Sequence, residues 1–547
     1  MPSPANNTTK ATGNFPLQAW ANWLLFGGIL LAFAIYAWRF IRLTSFTING
    51  ELYYALFDDA MISMQYARNF AEGRGLVWNA GGPRVEGFSN PLWVLFMAFF
   101  HLFGLPSQQV SLAIQMSGAV FLFANLLVVK KIAEEFRQHW LVPLLAVALT
   151  AFYFPLNNWS LQGMEVSVLT LLLSLAVWRA LKMLRTGRFS LGPYLLLALG
   201  SWVRVDMLVP LTVLTAFMAW ADPGQRRRHL GWGLGLLAGS FLVQTGLRYW
   251  YYGEWLPNTY YLKVVGIPLI DRLRRGLGVF GQFLWGSGWM LMVIPFILLP
   301  LWPDKASFLL FALLAGQAAY SIYVGGDAWE HKGGANRFLA IASPLFFVLF
   351  VHALDQLRGA LLQVRSSRWL RSGSLALLAA FTFTSLFSFN YINENDARDK
   401  WMLLKRPIFV AGTQRYVTMG LVLNRITDED ASIAVATAGN IIYFAGREGI
   451  DMLGKSDKLI ARSLPHANDG VLNNVEDLFR PGHNKWDYQH SIVALQPDIV
   501  AQIWGSSVEM DPFLIEGGYE YFEVEGFPFY IRVDSSHIRW DQIEVSP

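Results

Sequence analysis

Two aspartates stand side by side at positions 58 and 59, heading a segment in which Ile62, Tyr66 and Phe70 recur every four residues. That period predicts an amphipathic helix lying on a membrane surface and closed by Gly73. A helix start needs one carboxylate as N-cap, so the second has no such task. Neighbouring acids raise one another's pKa, which suits a general base. Glu165 follows Gly163 at the start of another apolar run, where the helix dipole favours a carboxylate. Asp58, Asp59 and Glu165 map to one membrane face. Three acids there could hold a divalent cation through oxygen ligands, although no spacing fixes one. Arg204, Lys263, His331 and Arg337 map to the same face, and such side chains are the usual partners of an anionic phosphate headgroup.

These residues need a scaffold, and the composition says which kind. Of 547 residues 54% are hydrophobic and only 15% charged, against about 25% charged in soluble domains. A net charge of +4 gives no reason to expect nucleic acid, and the absence of cysteine excludes disulfides and thiolate metal sites. Apolar runs that suit bilayer crossing occur near 19–42, 107–129, 140–156, 164–182, 190–203, 205–221, 230–250, 277–301, 306–324, 338–356 and 373–390. The first is too long for a cleavable signal and should remain as an anchor. Arg204 and Asp206 interrupt the stretch 190–221, which predicts two short helices meeting at a turn, because a mid-bilayer charge costs about 2.5–3.5 kcal/mol. Residues two apart do not face each other on a helix, which argues against an ion pair within one helix. Pro91–Phe103 is apolar but short, and reads as interfacial or re-entrant.

Lys130 and Lys131, Lys182 and Arg185, Arg226 to Arg228, and Arg358 fall in alternate loops, which the charge rule places in the cytoplasm. The acids and the Arg204 group then face outward, as does everything after about 391. Residues 391–547 carry more charge and short β-rich runs at Ser432–Thr437, Ser491–Ala494, Asp498–Ile503 and Phe529–Val533, the pattern of a soluble α/β domain. Trp78, Trp93, Trp159 and Trp255 read first as interfacial anchors and second as stacking platforms.

The first long loop continues with Tyr66-Ala-Arg-Asn69, Glu72-Gly-Arg-Gly-Leu-Val77 and Val85-Glu-Gly-Phe-Ser-Asn-Pro-Leu-Trp93. Together with the aspartate pair it resembles the first outer loop of GT-C glycosyltransferases, in particular the mycobacterial arabinofuranosyltransferases and the Gram-negative enzymes that glycosylate type IV pilins. Further similar pieces are Gln162–Glu165, Arg204-Val-Asp206, Tyr251–Thr259, Gly325-Gly-Asp327 and Asn336-Arg-Phe338, with Asp451–Gly454, Gly482–Lys485 and Gln496–Asp498 in the tail. Val205 stands where that family more usually has proline. The resemblance covers most of the chain. It implies a polytopic α-helical membrane protein of GT-C type, with about eleven transmembrane helices in 1–390 and a periplasmic α/β domain in 391–547. It implies transfer of D-arabinofuranose from a polyprenyl-phosphate donor to a pilin or cell-envelope glycan at the outer face of the bacterial inner membrane, among membrane lipids. Asp58, first of the pair, would be the base, and Asp59 the N-cap or a metal ligand. Glu165 would be a further catalytic acid. Arg204, Lys263, His331 and Arg337 would hold the donor phosphate. Glu86, Asn90, Asp206, Asn258 and Asp327 would bind substrate.

A transporter or flippase for a lipid-linked envelope precursor is the alternative. Transporters place ionisable groups near the midplane on broken helices. Here the acids and bases fall mainly at outer helix ends, which favours the enzyme.

Overall fold

A computed structural model describes residues 15–136, 139–330, 336–364, 368–391, 396–466 and 478–543. The chain begins with α1 (Phe15–Thr44), and a hairpin, β1 (Phe46–Ile48) with β2 (Glu51–Tyr53), leads into α2 (Asp58–Ala71). Pro91 opens the short α3 (Pro91–His101), where its missing N–H costs nothing. There follow α4 (Ser107–Ala133), α5 (Leu141–Ala151), α6 (Phe154–Leu161) and α7 (Val166–Thr186). Next come α8 (Gly192–Val203), α9 (Leu208–Ala221), α10 (Arg226–Tyr252) and the six-residue α11 (Asn258–Lys263). Then α12 (Leu269–Gly286) turns by 99° into α13 (Trp289–Met292) and α14 (Ile294–Leu298). The module closes with α15 (Lys305–Tyr323), α16 (Arg337–Val364) and α17 (Arg368–Phe389).

All eleven apolar runs are helical, but they are not eleven equal spans. Among the described residues seven helices are long and apolar enough to cross a bilayer, and nine if the bent pairs α5/α6 and α12/α13–α14 each count once. The other two are α8 and α9, of 12 and 14 residues, which meet at Arg204 as the interrupting charges require.

The C-terminal part holds α18 (Ala397–Trp401), α19 (Val410–Ile426), β3 (Ser432–Val435), α20 (Asn440–Ala445), β4 (Glu448–Asp451), α21 (Lys458–Arg462), β5 (Ile499–Val500), α22 (Ser507–Glu516), β6 (Tyr519–Val524) and β7 (Phe527–Arg532). The sheet order is β4-β3-β5-β7-β6, with β3 parallel to β4 and β5, and β7 antiparallel to β5 and β6. The run Ser491–Ala494, expected as a strand, lies instead in a π-helical turn over Gln489–Ala494. A short apolar run does not distinguish strand from buried helix.

The apolar core is continuous from the membrane helices into this part. Phe57, Trp159, Trp329 and Phe409 meet with ring centroids 4.7–5.6 Å apart. Helix α2 is therefore packed within the protein on both sides, and is not the open amphipathic helix that its period predicts. Ile62 and Tyr66 are buried, as are Asp58, Ser63, Gln65 and Asn69 on its polar side, because α3, the loop over 77–90 and α20 pack around it.

Candidate active site

Phe57, fixed in the aromatic cluster, sets the start of α2 and hence the direction of both aspartates. Neither caps its own helix: Phe57 is the N-cap residue, and it makes no side-chain cap bond. Asp58 reaches the C-terminal domain. Its Oδ1 accepts the Asn440 backbone N–H at 2.8 Å and its Oδ2 that of Gly439 at 3.3 Å, at the start of α20. Residue 439 must be glycine, since a Cβ there would collide with the Asp58 carbonyl oxygen. Burial pushes the Asp58 carboxyl up, against the Asn440 backbone hydrogen bond and the Lys455 charge.

Asp59 points the other way, into a polar chamber of about 80 Å³. Its Oδ1 accepts from Lys455 Nζ at 2.6 Å, and its Oδ2 from Arg337 Nη1 at 3.0 Å and Trp329 Nε1 at 3.3 Å. Burial opposes its ionisation, but Lys455, Arg337 and Lys263 outweigh burial and hold the carboxyl well below its usual range. Two adjacent carboxylates thus occupy opposite electrostatic settings.

Glu165 lines the same chamber. It accepts from Arg204 Nη1 at 2.7 Å and from Asn90 Nδ2 at 3.0 Å, while Ser63 donates to Asn90 at 3.0 Å. Arg204 also grips Asp206 with two bonds, 2.7 and 2.6 Å. The pair does not fit one continuous helix, on which residues two apart do not face each other. It forms because Arg204 is extended (φ −155°, ψ 130°) and a 3₁₀ turn over Val205–Met207 follows, so the two residues are not on helix geometry. Gly325 and Gly326, at φ +85° and +82°, shape the loop before Asp327. A Cβ on them would lie 2.7 Å from Phe479 and 2.6 Å from Val279. Asp327 takes Arg337 through Nε and Nη2, both at 2.7 Å, and accepts its backbone N–H at 3.1 Å.

Lys263, at the end of α11, also lines the chamber, and its Nζ has no hydrogen bond or ion pair among the described residues. Burial, followed by the Arg337 charge, brings its pKa down to about 8. Ser89, Arg204, Thr259, Lys263, Arg337 and Phe338 border both the chamber and a larger cavity of about 350 Å³. The latter runs between α9, α10 and α15 past Val209, Phe241, Tyr320 and Tyr323, so its lining is mainly apolar.

Other expected residues lie elsewhere. Glu86 pairs with Arg248 and lines a separate apolar groove beside α3. Asn258 donates to the carbonyls of Gly454, Lys455 and Asp457 at 2.9–3.1 Å, clamping a C-terminal turn. Asp206 and Asp327 line the larger cavity. His331 lies outside the described residues. Trp159 is buried in the aromatic cluster, Trp93 Nε1 donates to the Gly163 carbonyl at 3.0 Å, and Trp78 packs on Gly449. Trp255 is exposed and stacks on Tyr249. The proposed three-acid cation site does not form: Asp58, Asp59 and Glu165 are each taken by other donors, and no three acidic or histidine side chains converge among the described residues. Lys455 and Trp329 were missed, and Lys455 is adjacent to the Asp451–Gly454 motif without being part of it.

A helical membrane module of GT-C type, with a sheet-containing domain closing over its polar end, is the architecture that this geometry defines. A family model for a domain of unknown function, DUF8728, matches residues 408–531. No curated protein matches the chain. Among solved structures it is similar to ArnT from Cupriavidus metallidurans bound to undecaprenyl phosphate: 11% identity, TM-score 0.50, over 81% of this chain and 87% of that one. It is also similar to the Archaeoglobus fulgidus oligosaccharyltransferase in complex with zinc and sulfate, at 10% identity and TM-score 0.54 over 92% and 73% of the two chains. The archaeal oligosaccharyltransferase AglB from Archaeoglobus fulgidus, in complex with an inhibitory peptide and a dolichol-phosphate, gives 11% identity and TM-score 0.50 over 95% and 75%. At such identities the shared property is the fold.

Proposed function

We propose that the chain is a glycosyltransferase that moves a sugar from a polyprenyl-phosphate donor to an acceptor hydroxyl. The observation that carries this reading is the continuity of a cation-lined polar chamber with an apolar cavity between membrane helices. Such a space matches a phosphate headgroup on an isoprenoid tail. Fold neighbours solved in complex with undecaprenyl phosphate and with a dolichol-phosphate lend it support. Of the four cations that line the chamber, Lys263 is the one without a hydrogen bond or ion pair among the described residues, and so the one that a donor phosphate would engage first.

Asp59, not Asp58, is proposed as the proton acceptor, because it borders the chamber and Asp58 does not. The acceptor hydroxyl attacks the anomeric carbon, its proton passes to Asp59, and the bond to phosphate breaks through an oxocarbenium-like transition state. Arg204 and Arg337, each clamped by carboxylates, form a fixed positive wall for the departing phosphate. D-arabinofuranose as the sugar and a pilin or envelope glycan as the acceptor rest on the resemblance of the first loop. The inner membrane, with the chamber facing the periplasm, rests on the distribution of basic loops.

The test is sugar release from labelled undecaprenyl-phosphate arabinofuranose by purified full-length protein in detergent. Release by wild type and none by Asp59→Asn is the expected result. Tight donor binding with transport across vesicles but no release would overturn the enzyme in favour of a flippase.

A further inference from the structure

Lys455 belongs to the C-terminal domain, yet its ammonium lies in the chamber of the membrane module, 2.6 Å from Asp59. The turn that carries it is held from both sides. Asp451 accepts the backbone N–H groups of Leu453 at 3.0 Å and Ser456 at 2.7 Å. Asn258 grips three of the turn's carbonyls, and the Tyr66 hydroxyl meets Ser456 Oγ at 3.3 Å. Arg337 has Asp327 as a second, bidentate partner, whereas the Lys455 ammonium has Asp59 alone among the described residues. The charges that bear on Asp59 are Arg337 of α16, Lys263 of α11, and Lys455 and Arg480 of the C-terminal domain, with Asp58 beside it, while burial keeps the neighbouring His483 neutral.

We propose that Lys455 is a further catalytic residue, which changes partner during transfer: as Asp59 takes the acceptor proton, the ammonium passes from the neutralised carboxyl to the departing phosphate. The inference rests on the lipid-phosphate reading above. The bond from acceptor oxygen to the anomeric carbon forms, and the bond from that carbon to phosphate oxygen breaks. Its electron pair stays on the phosphate, and the proton stays on Asp59. One negative charge disappears at the carboxyl as another appears on the phosphate, so Lys455 is paired before and after the step. Such a cation stabilises charge where it develops, and contributes less to the resting donor.

The experiment needs no knowledge of the sugar. Binding of undecaprenyl phosphate is measured to full-length wild type, Asp59→Asn, Lys455→Gln and the double variant in detergent. Asp59→Asn imitates the proton-loaded carboxyl and should bind the lipid about tenfold tighter than wild type, the scale of one charge-assisted hydrogen bond. That gain should vanish in the double variant and persist when Lys455→Arg replaces Lys455→Gln. No gain in Asp59→Asn, or a gain that survives Lys455→Gln, overturns the partner change. Loss of the gain in the arginine variant as well assigns Lys455 to packing and also overturns it. If neither wild type nor any variant binds undecaprenyl phosphate, the lipid-phosphate reading itself falls, and this inference with it.

Discussion

Asp58 caps a helix 382 residues further along the chain, its Oδ1 accepting the Asn440 backbone N–H at 2.8 Å. The first loop of the membrane module and the C-terminal domain are therefore one structural unit at the site.

That relationship separates the two aspartates experimentally. Asp58→Ala leaves the first N–H groups of α20 without an acceptor, and a lost cap costs about 0.5–2 kcal/mol. The expected result is a lower Tm in detergent with turnover reduced only in proportion to folded protein. Asp59→Asn keeps an acceptor oxygen for Lys455 and Arg337, and should lose about 10²–10⁴ in transfer rate, far more than any loss of folded protein accounts for. Exchange of these two phenotypes would return the base to Asp58.

Donor binding should depend on pH through Lys263, whose pKa is brought down to about 8 by burial, followed by the Arg337 charge. The ammonium is charged below that value and neutral above it, so donor KM should be low at pH 7 and rise above pH 8. Lys263→Arg stays charged and should flatten that rise, while Lys263→Met should raise KM already at pH 7. A KM profile identical in all three proteins would remove Lys263 from the phosphate site.

Arg204 behaves differently, because both of its partners are buried carboxylates. Arg204→Ala strands Glu165 and Asp206, a change that typically costs about 3–5 kcal/mol. A large fall in Tm is expected, beyond any change in donor KM. Arg204→Lys should not restore it, since an ammonium cannot reproduce the two-pronged grip on Asp206. A stable Arg204→Ala protein with raised KM alone would make Arg204 a pure donor ligand.

Asn258 offers a test of the clamp. Asn258→Ala frees the carbonyls of residues 454, 455 and 457, so amide exchange over 451–457 should quicken. Transfer rate should fall while undecaprenyl phosphate binding stays near wild type. Unchanged exchange across that turn would show that Asp451 and Tyr66 hold it without Asn258.

Much of this architecture was legible because it follows from local rules. The charges at Arg204 and Asp206 predict a helix break, and α8 and α9 end and begin there. The period of Ile62, Tyr66 and Phe70 predicts α2, but not what covers it. Spacing encodes neighbours within an element, and α20 reaches α2 from the far end of the chain. The same limit hid Lys455, which lies 396 residues from Asp59 and carries no local pattern of its own. The resemblance implies Asn258 as a substrate ligand, whereas in the structure its side chain grips the carbonyls of residues 454, 455 and 457. The strand expected at Ser491–Ala494 failed for a different reason: four apolar-leaning residues fit either period.

The distance between Asp58 and its partner also has a consequence for how the protein is made. At about 5–20 residues per second, the 382 residues that separate Asp58 from Asn440 take on the order of 20–80 s to synthesise. Throughout that interval the nascent chain already carries α2, with the face that α20 will cover still open, Asp58 without its partners and the chamber without its lysine. A chain that stalls or is cut before Asn440 holds every membrane helix and still has no finished site. Only the last part of the chain to be made brings Lys455 to Asp59 and the Asn440 backbone N–H to Asp58.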